Sequence, residues 1–374
     1  MPKTASGIVA DSGDVVLMVG TTKGAFLLRA DRTRRSWALD GPHFPGEEVY
    51  AVALDQRGGR RVLWAAPGNP FFGTTLRRSE DLGATWSGQQ GVTVQFPEGS
   101  GLSLKRVWQI RPGRASQPDH MLIGVEPSCL FESTDGGASW TPMAGLLNHA
   151  HRPKWTPGAG GMCLHTVIPD PASSDRTLVA MSTGGVYRSD DGGGSWQARN
   201  RGVRAEFLPD KHPEFGQCVH KIAQHPARPE RLFLQNHWGL YRSTDWGDSW
   251  DDIANGVPSD FGFAMAVHPH DPETVFIVPL ESDMFRCVPE AKLRVFRTRN
   301  AGDSWEPMSS GLPQQDAYET VLRDSLDTDA LDPAGVYFGT RSGRVWGSAD
   351  DGTSWQLIRD GLPPVTCVKA AALA

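Results

Sequence analysis

The chain has 374 residues, of which 39% are hydrophobic and 21% charged, and a formal net charge of −6 at pH 7. That is enough apolar material for a sizeable core and too little charge for a disordered chain; the negative balance also argues against nucleic acid or an anionic membrane as a general partner. No run approaches the roughly 18 apolar residues of a membrane helix. The first residues carry no secretory apolar region. The five cysteines, at 129, 163, 218, 287 and 367, form no paired framework, so free thiols and a cytoplasmic location are expected.

In chain order, the first strand is expected over 15–19, a second-type strand with no innermost partner of its own. The basic run Arg32-Thr33-Arg34-Arg35 reads as a solvated turn. A pattern Ser-x-Asp-x-Gly-x-(Ser/Thr)-Trp then occupies 79–86, 133–140, 189–196, 243–250 and 348–355, with a variant at 298–305 and a degenerate copy ending at Ser36-Trp37. The closing tryptophans stand at 37, 86, 140, 196, 250, 305 and 355, a mean spacing of (355 − 37)/6 = 53, which divides the chain into about seven units. A fixed period near 50 is the mark of a propeller or solenoid and overrides any domain count based on length.

Each unit reads as four short strands; in the fifth they fall at 217–223, 231–235, 239–243 and 249–253, separated by turn residues. Four-stranded units repeated radially make an all-β, seven-bladed propeller, here a single domain over 1–374. The repeated pattern has a mechanical reading: Asp bonds backbone amides ahead of it, Gly supplies a positive φ, and Trp packs between neighbouring units. The C-terminal stretch 365–370 looks like the innermost strand missing from the first blade, so the ring is expected to close by pairing the two ends of the chain.

The eight-residue pattern resembles the Asp-box, or bacterial neuraminidase repeat, of sialidase-like proteins often labelled putative glycosyl hydrolase or exo-alpha-sialidase. The resemblance implies a β-propeller and a hydrolase-like, carbohydrate-directed activity. Propellers carrying this repeat include sialidases, xyloglucan-cleaving enzymes, a sorting receptor and a photosystem assembly factor. Sialidases carry an early Arg-Ile-Pro element, whereas this chain has Ile110-Arg111-Pro112; the resemblance therefore concerns blades rather than sialidase chemistry.

Propeller ligands sit where inner strands converge on the axis. Counting back six residues from the proline that ends an inner strand aligns His165 with His220, and the same offset selects Tyr50, Arg106, Phe263 and Tyr318 as a ring. Two residues earlier on the same face stand Glu48, Cys163, Cys218 and Asp316. Loops on this side add Trp155, Asn236 and His237, with insertions at 149–161 and 281–292 expected to form a lid or a binding rim, and Glu48, Asp316 or Glu319 is expected as a carboxylate partner. His165, His220, Tyr318 and Glu48 are the catalytic candidates, the histidines because imidazole titrates near neutrality. Arg106, Tyr50, Trp155, Asn236, His237, Asp316 and Glu319 are the ligand-binding candidates for a small polar or anionic ligand, carbohydrate included. No cofactor is expected. One alternative is a metal held by the Cys-x-His pairs Cys163, His165, Cys218 and His220; the other is a non-catalytic scaffold with a protein partner.

Overall fold

The computed structural model describes residues 6–69, 71, 73–87 and 91–374. Seven antiparallel sheets follow one another around an axis. Blades 2 to 7 start from inner strands Glu48–Asp55, Arg106–Pro112, Leu164–Pro169, Val219–Gln224, Gly262–Val267 and Leu326–Thr328. Blade 1 takes its inner strand from the other end of the chain: Val365–Ala372 pairs with Val15–Thr21, as the sequence implied. In blade 2 the third strand is split into Gly73–Thr74 and Arg77–Ser79.

The repeated hairpin is built from hydrogen bonds within one turn. In blade 3 the Ser133 hydroxyl donates to Asp135 at 2.8 Å and accepts from the Gly137 amide at 2.8 Å. Asp135 accepts in turn from the Ser139 amide (2.9 Å) and hydroxyl (2.6 Å). These bonds stabilise the ionised carboxyl and hold Asp135 down at about 2, as they do Asp191 in blade 4. The variant copy keeps the geometry with an amide, since Asn300 accepts from Thr298 and donates to Ser304, both at 2.9 Å. Gly137 has φ of +86°, and a Cβ there would stand 2.5 Å from the ring of Trp64 in the preceding blade. The tryptophans of blades 5 and 6 reach backwards too: Trp250 donates to the Arg199 carbonyl and Trp305 to the Ile253 carbonyl, both at 2.9 Å.

Arginines tie each blade to the next. Arg188 meets Asp248 at 3.0 Å, and Arg242 meets Asp303 at 2.9 Å. Arg34 closes the circle and corrects the reading of its basic run as a solvated turn. It is 5% exposed, pairs with Asp329 of blade 7 at 3.3 Å and donates to the Pro333 carbonyl at 2.9 Å.

Candidate functional site

In six inner strands the ladder skips one residue at the same level. The unpaired residue is Trp108, His165, His220, Phe263 or Thr366, and in blade 2 Tyr50 and Ala51 share the place opposite one partner residue. Such a bulge bends its strand and re-aims a side chain, a device common at rims and binding sites. Blade 7 has a shorter inner strand and brings Arg323 and Asp324 to this level, Asp324 bridging to Cys367 of the closing strand.

The bulge level floors two adjoining cavities of about 410 Å³ each, which share Gly160, Phe263, Arg286 and Arg323. One has aromatic walls from Tyr50 and Trp108; the other runs along His220, His237 and Trp238. Three guanidinium groups, Arg286, Arg323 and Arg341, line this chamber. Among the described residues none of the three has a carboxylate within 4 Å. Arg323 is 9% exposed, stands 5.1 Å from the ring centre of Trp108 and 5.8 Å from that of Phe263, and donates to Cys163 Sγ at 3.2 Å. One terminal nitrogen of Arg341 is buried with no hydrogen-bond partner among the described residues. The chamber's deep carboxylate is already engaged: Asp324 is 2.5 Å from Lys221 and 3.7 Å from Lys369. Burial works to raise the Asp324 pKa, but the two ammonium groups outweigh it and hold it below the usual range.

The ring expected from the proline offset is corrected at two places. Trp108, not Arg106, is the blade 3 counterpart of His165. Arg106 lies two residues earlier and is held beside the chamber, 3.0 Å from Glu48, 3.6 Å from Glu126 and 4.3 Å from the centre of the Tyr50 ring. Tyr318 lies outside the inner strand on a surface loop, 64% exposed, with Asp316 also exposed. Glu319 points inward instead and is pinned by Arg344 at 2.8 Å and by the Ser342 hydroxyl.

The histidines are tied more tightly than a proton shuttle would be. His165 is fully buried, with Nε2 bonded to the Val219 carbonyl at 2.9 Å and Nδ1 against Thr166 at 3.0 Å. His220 Nδ1 bonds the Gly262 carbonyl at 2.6 Å. Burial first, and the charge of Arg323 second, push both rings well below their ordinary pKa, so both are neutral near pH 7. Trp155 is buried under its own insertion, donating to the Tyr187 hydroxyl at 3.0 Å, and is not a rim platform. Asn236 is also buried and braces the loop through the Arg204 carbonyl at 2.7 Å.

The four-ligand set Cys163, His165, Cys218 and His220 does not assemble. Both His165 nitrogens are engaged, and Cys163 faces Arg323 and Ser182. Cys218 and His220 come together instead with His237, their ligand atoms all within 4.8 Å of one another. Trp108, Arg286, Arg323 and Arg341 escaped the sequence reading. A count of five from the strand end, Asp170 for His165 and Gly113 for blade 3, would have reached Trp108, because the Gly113 amide bonds the His120 carbonyl as the Asp170 amide bonds that of Arg176.

The sequence matches no protein-family model. It is 26% identical over 181 residues to a probable oligoxyloglucan-reducing end-specific xyloglucanase of Neosartorya fischeri, covering 47% of this chain and 19% of that protein. It is 26% identical over 273 residues to a xyloglucanase of Paenibacillus sp, covering 65% of this chain and 25% of that protein. The chain thus spans a quarter or less of these curated relatives. Among solved structures it resembles the GH74 xyloglucanase from Xanthomonas campestris, with a TM-score of 0.61 and 18% identity over 99% of this chain and 55% of that one. It also resembles YCF48 bound to D1 peptide, with a TM-score of 0.51 and 13% identity over 95% and 88% of the two chains. At these identities the structural likenesses establish the propeller fold.

Proposed function

We propose that this glycoside-hydrolase-like propeller binds the acidic group of a saccharide in its axial chamber. The observation that carries the reading is the set Arg286, Arg323 and Arg341, three guanidinium groups with no carboxylate within 4 Å among the described residues, beside Tyr50, Trp108 and Phe263. Guanidinium forks suit carboxylates bidentately, and a mostly apolar pocket with a few convergent polar groups is the usual form of a small-molecule site. The similarity to proteins named xyloglucanases supports a carbohydrate as the ligand class. Hydrolysis by the usual route needs two available carboxylates about 5–9.5 Å apart. Of the two carboxylates that line the chamber among the described residues, Asp324 is committed to Lys221 and Asp283 faces His237 at 3.3 Å, so the reading is one of recognition. Calorimetric titration with a uronate-bearing oligosaccharide and its neutral methyl ester tests it. The acid should bind at least about tenfold tighter, as expected for charge-assisted bonds each worth roughly 1.5–3 kcal/mol. Equal affinities would refute it.

A second reading is favoured by the rim. Phe207 lines the chamber and is 47% exposed, and Met284 (90%) and Phe285 (52%) are exposed between the lining residues Asp283 and Arg286. An exposed apolar rim is a feature of protein-binding surfaces, and a similar propeller is described as bound to a peptide. A stoichiometric protein partner retained by Met284→Ser with Phe285→Ser would argue against a rim interface.

A further inference from the structure

We propose that Cys218, His220 and His237 form a zinc site on the wall of the axial chamber. The three side chains come from two neighbouring places in blade 5. Cys218 and His220 flank the start of its inner strand, and His237 follows the end of the next strand, where its amide bonds the Cys218 carbonyl at 3.0 Å. That backbone bond fixes the two segments side by side.

The tautomer of His220 is set by its surroundings. A carbonyl oxygen only accepts, so the 2.6 Å bond to Gly262 places the proton on Nδ1 and leaves a lone pair on Nε2. Nε2 lies 3.7 Å from Cys218 Sγ. In a tetrahedral zinc site, with bonds of about 2.3 Å to sulfur and about 2.0–2.1 Å to nitrogen, a thiolate and an imidazole stand about 3.5 Å apart. This pair is therefore already near the required separation. His237 lies within 4.8 Å of both ligand atoms, so roughly 1 Å of side-chain movement completes the set. Asp283 stands 3.3 Å from His237 Nε2, the kind of carboxylate that orients a metal-bound imidazole.

Charge permits the ion. Arg286 and Arg323 line the same cavity and would oppose an uncompensated dication. The Cys218 thiolate and the Asp283 carboxylate together offset the charge of Zn²⁺. All four groups line the cavity, so a fourth coordination position opens onto it. Three protein ligands with an open position is the arrangement of zinc sites that bind water or an exchangeable ligand, in contrast to closed structural sites.

The test is titration of the chelator-treated full chain with Co²⁺, then Zn²⁺, followed by absorption and elemental analysis, with no saccharide present. The expected result is a single equivalent of Co²⁺ with a thiolate-to-cobalt charge-transfer band and tetrahedral visible bands, displaced by Zn²⁺. Cys218→Ser should abolish the charge-transfer band while Cys163→Ser leaves it unchanged. Asp283→Asn, which keeps all three ligands and so serves where a ligand variant fails to fold, should weaken zinc binding about 10- to 100-fold. Absence of the band at saturating Co²⁺, its survival in Cys218→Ser, or its loss in Cys163→Ser would overturn the assignment. Failure of the acidic-saccharide reading would leave these results untouched, because no step here depends on that ligand.

Discussion

The outer hairpins and the axial bulges are both repeated around the ring, and they differ in what is repeated. At the hairpins geometry and chemistry recur together: Ser133, Ser189, Ser243 and Ser348 each donate to an Asp two residues on, at 2.6–2.8 Å. At the bulges only the geometry recurs. The same backbone position presents Trp108, His165, His220, Phe263 or Thr366. Identical chemistry at equivalent sites is what holding a blade requires. Unlike chemistry at equivalent sites is what one asymmetric ligand requires, since each blade then faces a different part of it.

The largest effect expected from breaking this comparison lies at the closure. Truncation after residue 364 removes the strand that pairs with Val15–Thr21 along its whole length. With only about 5–15 kcal/mol holding a typical domain, the truncated chain should lose cooperative unfolding in a urea titration. Next comes Trp250→Ala. It removes a 4% exposed ring and its bond to the preceding blade, and should cost about 3–5 kcal/mol in the same titration.

His220→Ala tests the border between the two regions. The ring is 2% exposed and its loss leaves the Gly262 carbonyl without that bond. A cost of about 1–3 kcal/mol is expected, smaller than for Trp250→Ala and larger than a solvent-filled position would give.

The smallest effect is a pH dependence of the hairpins. Asp135 and Asp191 sit at about 2 in the folded chain because of bonds from Ser139 and Ser195, against about 3.9 when unfolded. A depressed carboxyl contributes stability that is fully present above the unfolded value and is lost as pH falls through the folded one. Stability should therefore decline from roughly pH 4 toward pH 2. Asn300→Asp should steepen that decline, because it adds a titrating group to the one hairpin that carries an amide among the six. Identical acid limits for the two proteins would contradict the assignment.

The blades were legible in the sequence because the hairpin needs the same residues each time. Ser, Asp, Gly and Trp at fixed spacing carry the turn, its φ and the packing between blades. The strands of blade 5 accordingly fall within two residues of their expected limits. The chamber was legible only where the register was regular. Offsets from proline found His165, His220 and Phe263, and the same offset carried to blade 2 found Tyr50, but Pro112 sits inside the inner strand of blade 3 and displaced the count onto Arg106. The short strand Leu326–Thr328 displaced it onto Tyr318. Arg286 and Arg341 come from loops, and Arg323 precedes the short strand, where no periodicity marks a side chain as facing the axis. Buried ion pairs were equally silent, since Arg34 and Asp329 lie 295 positions apart.

The central claim is that unlike residues at the bulge level serve binding while the hairpins serve folding. Titration of Arg323→Gln with the uronate-bearing oligosaccharide, alongside its thermal midpoint, tests it most directly. Among the described residues Arg323 has no carboxylate within 4 Å, and Asp324, which its charge also stabilises, keeps Lys221 and Lys369, so the midpoint should stay within about 2 °C of wild type, while affinity falls at least about tenfold. Unchanged affinity, or unfolding comparable to that of Trp250→Ala, would contradict the account.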